Sequence, residues 1–290
     1  MSRPARAPYD AIVLDLDGTL LDEAGRLHPR NRSALRAAAE RGVRVLVATG
    51  RSPLSAHPIL EELALDTPAV VFNGAGLYAP RERRMLEERV LSNRTLERAL
   101  ELGRRRDWLT VLMGSERKLG LRPRDALEEQ ALAGMTGLSL VPREELRAEF
   151  VVRVTFFSRD HDSGRAFGDE VERELGQPVY LTCFPLSILP SHRASPLQVV
   201  DVHPPCRGKA EALRYLAEVH GIPPARVVAV GDATNDVPMF EAAGLAVAMR
   251  GGMEEALAVA DRVIDGNDTT SIADLVEELF PVASPGLPVS

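Results

Sequence analysis

Two closely spaced aspartates form the first candidate reaction centre of this sequence. Asp15 and Asp17 follow the apolar segment 11–14, and Gly18 and Thr19 come directly after them. A short apolar segment of this kind is typical of a strand buried on both faces of a parallel sheet, and ligands bind beyond the carboxyl ends of such strands. An ordinary strand end with an Asp-Gly turn would contain the same residues. Alone, the segment leaves both interpretations open.

Polar groups of complementary chemistry stand at three further positions where a predicted strand ends or a predicted helix begins: Thr49 and Arg51, Lys209, and Asp232, Asn235 and Asp236. Several carboxylates without a histidine or a thiolate suit a hard divalent cation, above all Mg²⁺. A lysine and a hydroxyl suit phosphoryl oxygens. One aspartate could attack phosphorus, and a second could protonate the leaving oxygen and later activate water.

The use of lysine gives Lys209 additional weight. Of the 35 lysines and arginines, only Lys118 and Lys209 are lysine. Where arginine serves as the general surface cation, a retained lysine indicates a place that needs a compact ammonium and not a planar guanidinium.

The elements that must position these groups alternate between strand and helix. Segments 11–14, 43–47 and 68–72 are predicted strands separated by helices, which is typical of a doubly wound parallel sheet with its strand ends on one edge. Hairpins mixed with helices follow, and they indicate an antiparallel α+β domain. Regular alternation returns at 197–202. The predicted fold class is therefore α/β, with a Rossmann-like parallel core sheet and an inserted α+β cap domain.

This pattern predicts a discontinuous core of residues 1–83 and 196–290, a cap of residues 84–195, and a disordered tail over 281–290. The cap should close over the strand ends and determine the substrate. Its polar candidates for contact with the substrate are Arg122, Arg153, His161, His192 and Arg193, and most of these five are expected to be solvated surface residues.

The candidate residues lie in four segments that resemble the motifs of the haloacid dehalogenase-like hydrolase superfamily, in particular its Cof-type phosphatases with a large α/β cap. The segments are Asp15-Leu-Asp17-Gly-Thr-Leu, Ala48-Thr49-Gly50-Arg51, Phe72-Asn73-Gly74-Ala75 and Gly231-Asp232-x-x-Asn235-Asp236-x-x-Met239, with Lys209 in the loop that carries the remaining motif. That loop is the least typical, because Asp201 stands where the family commonly has glutamate.

The resemblance implies a role for each matching position. Asp15 would be the nucleophile and Asp17 the general acid and base. Thr49 and Lys209 would hold the phosphoryl group. Mg²⁺ would bind the side chains of Asp15 and Asp232 and the backbone carbonyl of Asp17, with Asp236 in support. The further phosphate-binding positions would be Gly18, Gly50, Asn73 and Asn235.

The sequence thus predicts a Mg²⁺-dependent phosphomonoesterase for a small phosphorylated metabolite. Sugar phosphates come first among the substrates, followed by pyridoxal phosphate, flavin mononucleotide and other small phosphoesters. A phosphomutase on the same scaffold and a non-catalytic phosphometabolite-binding protein remain alternatives. The formal charge of −7 argues against nucleic acid as a partner, and no apolar run reaches the length of a membrane span. No secretory signal is apparent, so the expected location is the cytoplasm, as a monomer or small homo-oligomer.

Overall fold

The structure is a computed structural model that describes residues 8–281. The tail predicted to be disordered therefore lies outside the described residues, except for Pro281. The chain separates into two compact units. The first contains the described residues up to Ala48, Ile59–Ala69 and those from Lys209 onward, and the second contains Thr49–Pro58 and Val70–Gly208.

Within the described residues the strands are β1 (Ala11–Leu14), β2 (Arg44–Val47), β3 (Ala69–Val71), β4 (Gly76–Ala79), β5 (Arg84–Glu88), β6 (Leu109–Met113), β7 (Lys118–Leu121), β8 (Leu138–Val141), β9 (Arg153–Ser158), β10 (Tyr180–Pro185), β11 (Gln198–His203), β12 (Val227–Gly231), β13 (Leu245–Met249) and β14 (Arg262–Ile264). The α-helices are α1 (Pro29–Glu40), α2 (Pro53–Leu63), α3 (Asn93–Arg105), α4 (Ala126–Leu132), α5 (Gly164–Leu175), α6 (Glu211–His220), α7 (Val237–Ala242), α8 (Glu254–Val259) and α9 (Ser271–Leu279). None of these helices has the length and apolar character required to cross a bilayer.

The first unit contains a parallel sheet of five strands in the order β14-β13-β12-β1-β2. All residues of β1 and β12 are buried, as expected for central strands of a parallel sheet covered on both faces. In the register, Leu14 pairs with Val230 of β12 and Val47 of β2. The segments that follow β1 and β12 therefore leave the sheet side by side, and this confirms the predicted doubly wound core.

The third predicted strand belongs to a different sheet from the one expected. β3 forms a three-stranded sheet with β4 and β5, while β1 and β2 belong to the five-stranded sheet. Phe72 and Asn73 have positive φ angles of 52° and 51°, so the chain turns immediately after β3 and enters the β4–β5 hairpin. A backbone hydrogen bond of 2.9 Å from Thr49 N–H to Val70 O ties β3 to the segment after β2.

The second unit contains a sheet of six strands in the order β10-β11-β9-β6-β7-β8. Its strands pair antiparallel, as the hairpins of the sequence indicate, apart from the parallel pair β7–β8. One face of the sheet is apolar and is packed by helices. In α3, a Cβ added to Gly103 would lie 3.0 Å from the ring of Phe156, so this helix lies directly on β9.

The segment 197–202, assigned from sequence to the parallel core, is a strand of this six-stranded sheet. β11 lies between β10 and β9 and is antiparallel to both. Its side chains alternate between the two faces of the sheet, so Asp201 and His203 share one face with Val199, while Val200 and Val202 share the other with Gln198. All six residues are buried. The division of the chain into core and cap at residues 83/84 and 195/196 stays a prediction.

Candidate active site

Asp15 and Lys209 form a buried ion pair at the end of the central strand. Asp15 directly follows β1, and its N–H donates to Val230 O at 3.0 Å, which continues the pairing with β12. Lys209 reaches it from the helical turn that leads into α6, with a distance of 2.7 Å between its Nζ and Asp15 Oδ1. Exposure is 4% for Asp15 and 1% for Lys209, so the pair is shielded from water.

Asp236 holds both the lysine and the loop after β12. Its Oδ1 accepts a hydrogen bond of 2.6 Å from Lys209 Nζ, and its Oδ2 accepts bonds of 2.9 Å from the N–H groups of Asp232 and Ala233. Both carboxylate oxygens are thus already engaged within the protein. Asn235 precedes it in the same helical turn and is half-buried.

Asp232 is oriented by a residue of the first motif. Thr19 is fully buried, and its hydroxyl donates to Asp232 Oδ1 at 2.8 Å. Gly18 makes this approach possible, since it has a φ of +80° and a Cβ there would lie 2.3 Å from Asp232 Oδ2. Asp17, between Asp15 and Gly18, is exposed.

The charges of this cluster strongly perturb one another. Burial raises the pKa of Asp15 well above its usual value, and the neighbouring Asp236 and Asp232 add to this effect against the attraction of Lys209. Burial and the charge of Asp236 raise the pKa of Asp232 to about 6. Burial alone would lower the pKa of Lys209, but the charges of Asp15 and Asp236 outweigh it and raise that pKa. The carboxylates therefore lack one further positive partner.

These residues fit a divalent metal ion. Asp15, Asp232 and Asp236 each offer a carboxylate oxygen, and the three oxygens lie within 4.8 Å of one another. If all three are ionised, the single ammonium of Lys209 leaves two negative charges uncompensated in a buried place. Oxygen ligands without nitrogen or sulfur match the preference of Mg²⁺, and the divalent charge would balance the cluster.

Three predicted site residues lie in the second unit, where they contact one another. The N–H of Asn73 donates to Thr49 O at 3.0 Å, and the hydroxyl of the fully buried Thr49 accepts from Arg51 N–H at 3.1 Å. A Cβ added to Gly50 would lie 3.0 Å from Asn73 Oδ1, so this close approach depends on glycine. The Asn73 amide also donates to the Thr182 hydroxyl at 3.3 Å.

The remaining predicted residues, Asp15, Asp17, Gly18, Lys209, Asp232, Asn235 and Asp236, lie in the first unit. The hydrogen bond from Thr19 to Asp232 was not predicted, because no spacing signal joins residues 213 positions apart. Arg153 was one of five polar candidates of which most were expected to be solvated, and only 12% of its side chain is exposed. The scarcity of lysine was the one signal that pointed to Lys118, which is buried as well.

Comparison with known proteins gives consistent results. The family model described as haloacid dehalogenase-like hydrolase matches residues 12–276. The pyridoxal phosphate phosphatase YbhA of Escherichia coli is 32% identical over 275 residues, with 91% of this chain and 96% of the relative covered. The 5-amino-6-(5-phospho-D-ribitylamino)uracil phosphatase YwtE of Bacillus subtilis is 26% identical, with 93% and 97% covered.

The fold is also similar to solved structures. The crystal structure of a haloacid dehalogenase-like hydrolase from Bacteroides thetaiotaomicron superposes with a TM-score of 0.75 at 25% sequence identity. The match covers 94% of this chain and 100% of that one. Sequence and fold therefore agree over nearly the whole chain.

Proposed function

The chain belongs to the haloacid dehalogenase-like hydrolase family and is a phosphatase, and on this premise we propose that it hydrolyses phosphate monoesters of small metabolites with Mg²⁺ through an aspartyl-phosphate on Asp15. The single observation that carries the proposal is the buried cluster in which Lys209 Nζ lies 2.7 Å from Asp15 and 2.6 Å from Asp236, with Asp232 beside them. An ionised carboxylate and a fixed cation are the groups that phosphoryl transfer needs.

In the proposed reaction, Asp15 attacks the phosphorus atom, and the bond to the ester oxygen breaks as the Asp15–phosphorus bond forms. Asp17 donates its proton to the departing alkoxide, so the product leaves as an alcohol. Water then attacks the phosphorus of the aspartyl-phosphate while Asp17 takes a proton from it, and phosphate and free Asp15 result. Proton transfer of this kind contributes about 10²–10⁴-fold to a rate.

Mg²⁺ would be held by the side chains of Asp15 and Asp232 and by the backbone carbonyl of Asp17. When bound, it supplies positive charge that neutralises the phosphoryl oxygens and the ionised carboxylates. Asp236 supports this site indirectly, because its two oxygens already bind Lys209 and the loop N–H groups. Lys209 positions Asp15 and, together with Thr49, binds the phosphoryl group.

Gly18, Gly50, Asn73 and Asn235 complete the proposed phosphate-binding set. The structure of the second unit supports the inclusion of Gly50 and Asn73, since both pack against one another beside Thr49.

Sugar phosphates remain the first predicted substrates. The name of one relative contains pyridoxal phosphate, which is already among the candidates, and the name of another adds a phosphorylated ribitylaminouracil to the compounds that should be compared. A cytoplasmic location and a monomeric or small homo-oligomeric state also remain predictions.

The test is release of inorganic phosphate from p-nitrophenyl phosphate and from a library of phosphorylated metabolites. Asp15→Asn should abolish release, and an activity within about tenfold of wild type would refute the assignment of the nucleophile. EDTA should stop turnover and Mg²⁺ should restore it. A phosphomutase would instead return the phosphoryl group to an organic product, which ³¹P NMR of the reaction distinguishes from free phosphate. A non-catalytic binding protein would release none.

A further inference from the structure

The second unit contains a buried ammonium without an acidic partner. Lys118, at the start of β7, is 4% exposed, and its Nζ donates to the Ser55 hydroxyl at 2.9 Å. Among the described residues, this hydroxyl is its only hydrogen-bond partner, and no carboxylate lies within ion-pair distance. A buried charge without a counter-ion is costly, and proteins ordinarily pair it.

Lys118 stands in a row of polar and polarisable side chains that crosses the six-stranded sheet. Met113 of β6 pairs with Lys118 on one side and with Arg153 of β9 on the other. Side chains of directly paired residues project from the same face, so Lys118 and Arg153 flank Met113 on one face. Two positions after Arg153, Thr155 pairs with Asp201 of β11, which adds one carboxylate to this face.

This face holds more positive than negative charge. The carboxylate of Asp201 lies 3.3 Å from Arg153 Nη1 and also accepts a hydrogen bond from the Thr155 hydroxyl. It thus compensates Arg153 and leaves Lys118 uncompensated. His203 is fully buried, and its pKa is well below the usual value because of burial and the charge of Arg153, so its imidazole is neutral.

The same charges act on Lys118 itself. Burial, together with the positive charges of Arg153 and Arg51, lowers the pKa of Lys118 to about 8. Arg153 Nη1 also donates to Gly50 O at 2.8 Å. Among the described side chains, Asp201 supplies an anion to Arg153 but none supplies one to Lys118.

We propose that Lys118 and Arg153 bind an oxyanion, a carboxylate or phosphate group of a small molecule. That group would come from one of two sources: a second acidic group on the substrate, or a free oxyanion that binds as a separate ligand. The first source rests on the proposed phosphatase function, whereas the binding of an oxyanion by Lys118 and Arg153 does not depend on it. The Ser55 hydroxyl fixes the direction of the ammonium, and the guanidinium of Arg153 gives the site a second donor.

The direct test uses the fact that the chain has only two lysines. In protein labelled with ¹³C at lysine Cε, NMR should show two lysine signals, and Lys118→Met identifies the one from Lys118. Millimolar inorganic phosphate or succinate should shift the Lys118 signal and raise the pKa of Lys118 above about 9, because a bound anion favours the charged form. Arg153→Gln should weaken this response.

Arg117→Met is the matched control, since Arg117 is an exposed cation next to Lys118 in sequence. It should leave the response unchanged. A Lys118 signal that ignores both probes would overturn the proposal. The NMR signal of Lys118 can be measured without turnover, so it tests the oxyanion site independently of the phosphatase assignment. If the signal responds while Asp15→Asn and wild type release phosphate equally, the oxyanion site is supported and the proposed function fails.

Kinetics distinguish the two sources. 3-Phosphoglycerate has a carboxylate at the position where glycerol 3-phosphate has an uncharged hydroxymethyl group. If the substrate supplies the oxyanion, wild type should favour 3-phosphoglycerate in kcat/KM, and Lys118→Met should reduce that preference about tenfold or more. An unchanged preference, together with a responding Lys118 signal, supports a free oxyanion as the ligand.

Discussion

The two lysines of this chain are both buried, and their surroundings are opposite. Lys209 in the first unit lies between two carboxylates, whereas Lys118 in the second unit has one hydroxyl partner. The pKa of Lys209 is raised by Asp15 and Asp236 against the effect of burial, and the pKa of Lys118 is lowered to about 8 by burial and two arginines. The same residue type thus serves as an internal counter-ion in one place and lacks a counter-ion in the other.

The difference separates two uses of a buried charge. At Lys209 the protein itself provides the opposite charge, so the lysine contributes to holding Asp15 and the loop of Asp236 in position. At Lys118 the folded protein retains an unfavourable interaction. Proteins retain unfavourable interactions of this kind where binding or catalysis requires them.

The largest expected effect is on activity at Lys209. Lys209→Arg should lower kcat for p-nitrophenyl phosphate by about 10²–10³-fold, because a planar guanidinium cannot occupy the space of an ammonium placed 2.7 Å and 2.6 Å from two carboxylates. Steady-state kinetics measure this. The opposite exchange at the exposed neighbour, Arg207→Lys, is the control and should have little effect. A near wild-type Lys209→Arg enzyme would show that charge alone suffices.

Removal of the positive charge should change the free energy of unfolding in opposite directions at the two lysines. Lys209→Met should lower the free energy of unfolding of the metal-free protein by about 3–5 kcal/mol at neutral pH, because two buried carboxylates lose their partner. Urea denaturation measures it. Asp15→Asn in the same chain should restore part of the loss. If the double variant is no more stable than the single one, the ion pair does not explain the effect.

Lys118→Met should act in the opposite direction. It should raise the free energy of unfolding by about 1–2 kcal/mol at pH 7. This is less than the lowered pKa of Lys118 alone corresponds to, because the substitution also deletes the hydrogen bond to Ser55. The pKa of Lys118 is about 8 when folded and 10.5 in its ordinary state, so the unfolded chain binds more protons between these values. Wild-type stability should therefore rise across that window.

In Lys118→Met this rise should be missing, so the advantage of the variant should disappear above about pH 10.5. Denaturation at several pH values measures the difference, with Arg117→Met as the exposed control. A variant that is less stable than wild type at pH 7 would show that Lys118 has a compensating partner.

The smallest expected effect concerns the hydrogen bond that orients Asp232. Thr19→Val should lower the free energy of unfolding by about 0.5–1.5 kcal/mol, because it deletes the donor 2.8 Å from Asp232 Oδ1 at nearly constant volume. It should also raise the pKa of Asp232 further, since this hydrogen bond lowers it. Thermal denaturation and NMR titration measure the two changes. Thr19→Ser keeps the hydroxyl donor, so both the free energy of unfolding and the pKa of Asp232 should stay near their wild-type values. A large loss of stability in Thr19→Ser would show that the lost methyl contact, and not the hydrogen bond, dominates.

Much of the first unit was predictable from local sequence. The apolar segments before Asp15 and Asp232 are strands of one parallel sheet, as their composition indicated. The strand prediction succeeded because a fully buried strand leaves a signal within a few positions. The scarcity of lysine singled out Lys209 as a place that needs a compact ammonium, and the structure buries it between two carboxylates, although its role stays a prediction.

Features that depend on distant partners were not predictable in this way. β3 was recognised as a strand, but its sheet is decided by the positive φ angles at Phe72 and Asn73. Nothing in the sequence separated Arg153 from the other polar candidates of the cap, because its burial arises from contacts with Gly50 and Asp201, which are far from it in sequence. Neither contact has a local signal, since pairing across a sheet depends on register and not on the residues next to the side chain.

The pairing of β1 with β12 has a consequence for synthesis of the protein. Ala11 pairs with Val227, so one of the two neighbours of the central strand is made 216 residues later. At about 5–20 residues per second, β1 waits roughly 10–40 s on the ribosome before that partner exists. Lys209, which pairs with Asp15, follows it by 194 residues, and Asp232 and Asp236 are made later still. During this interval the nascent chain therefore carries an apolar strand with an open edge, and it acquires its reaction centre only after these distant segments have been made.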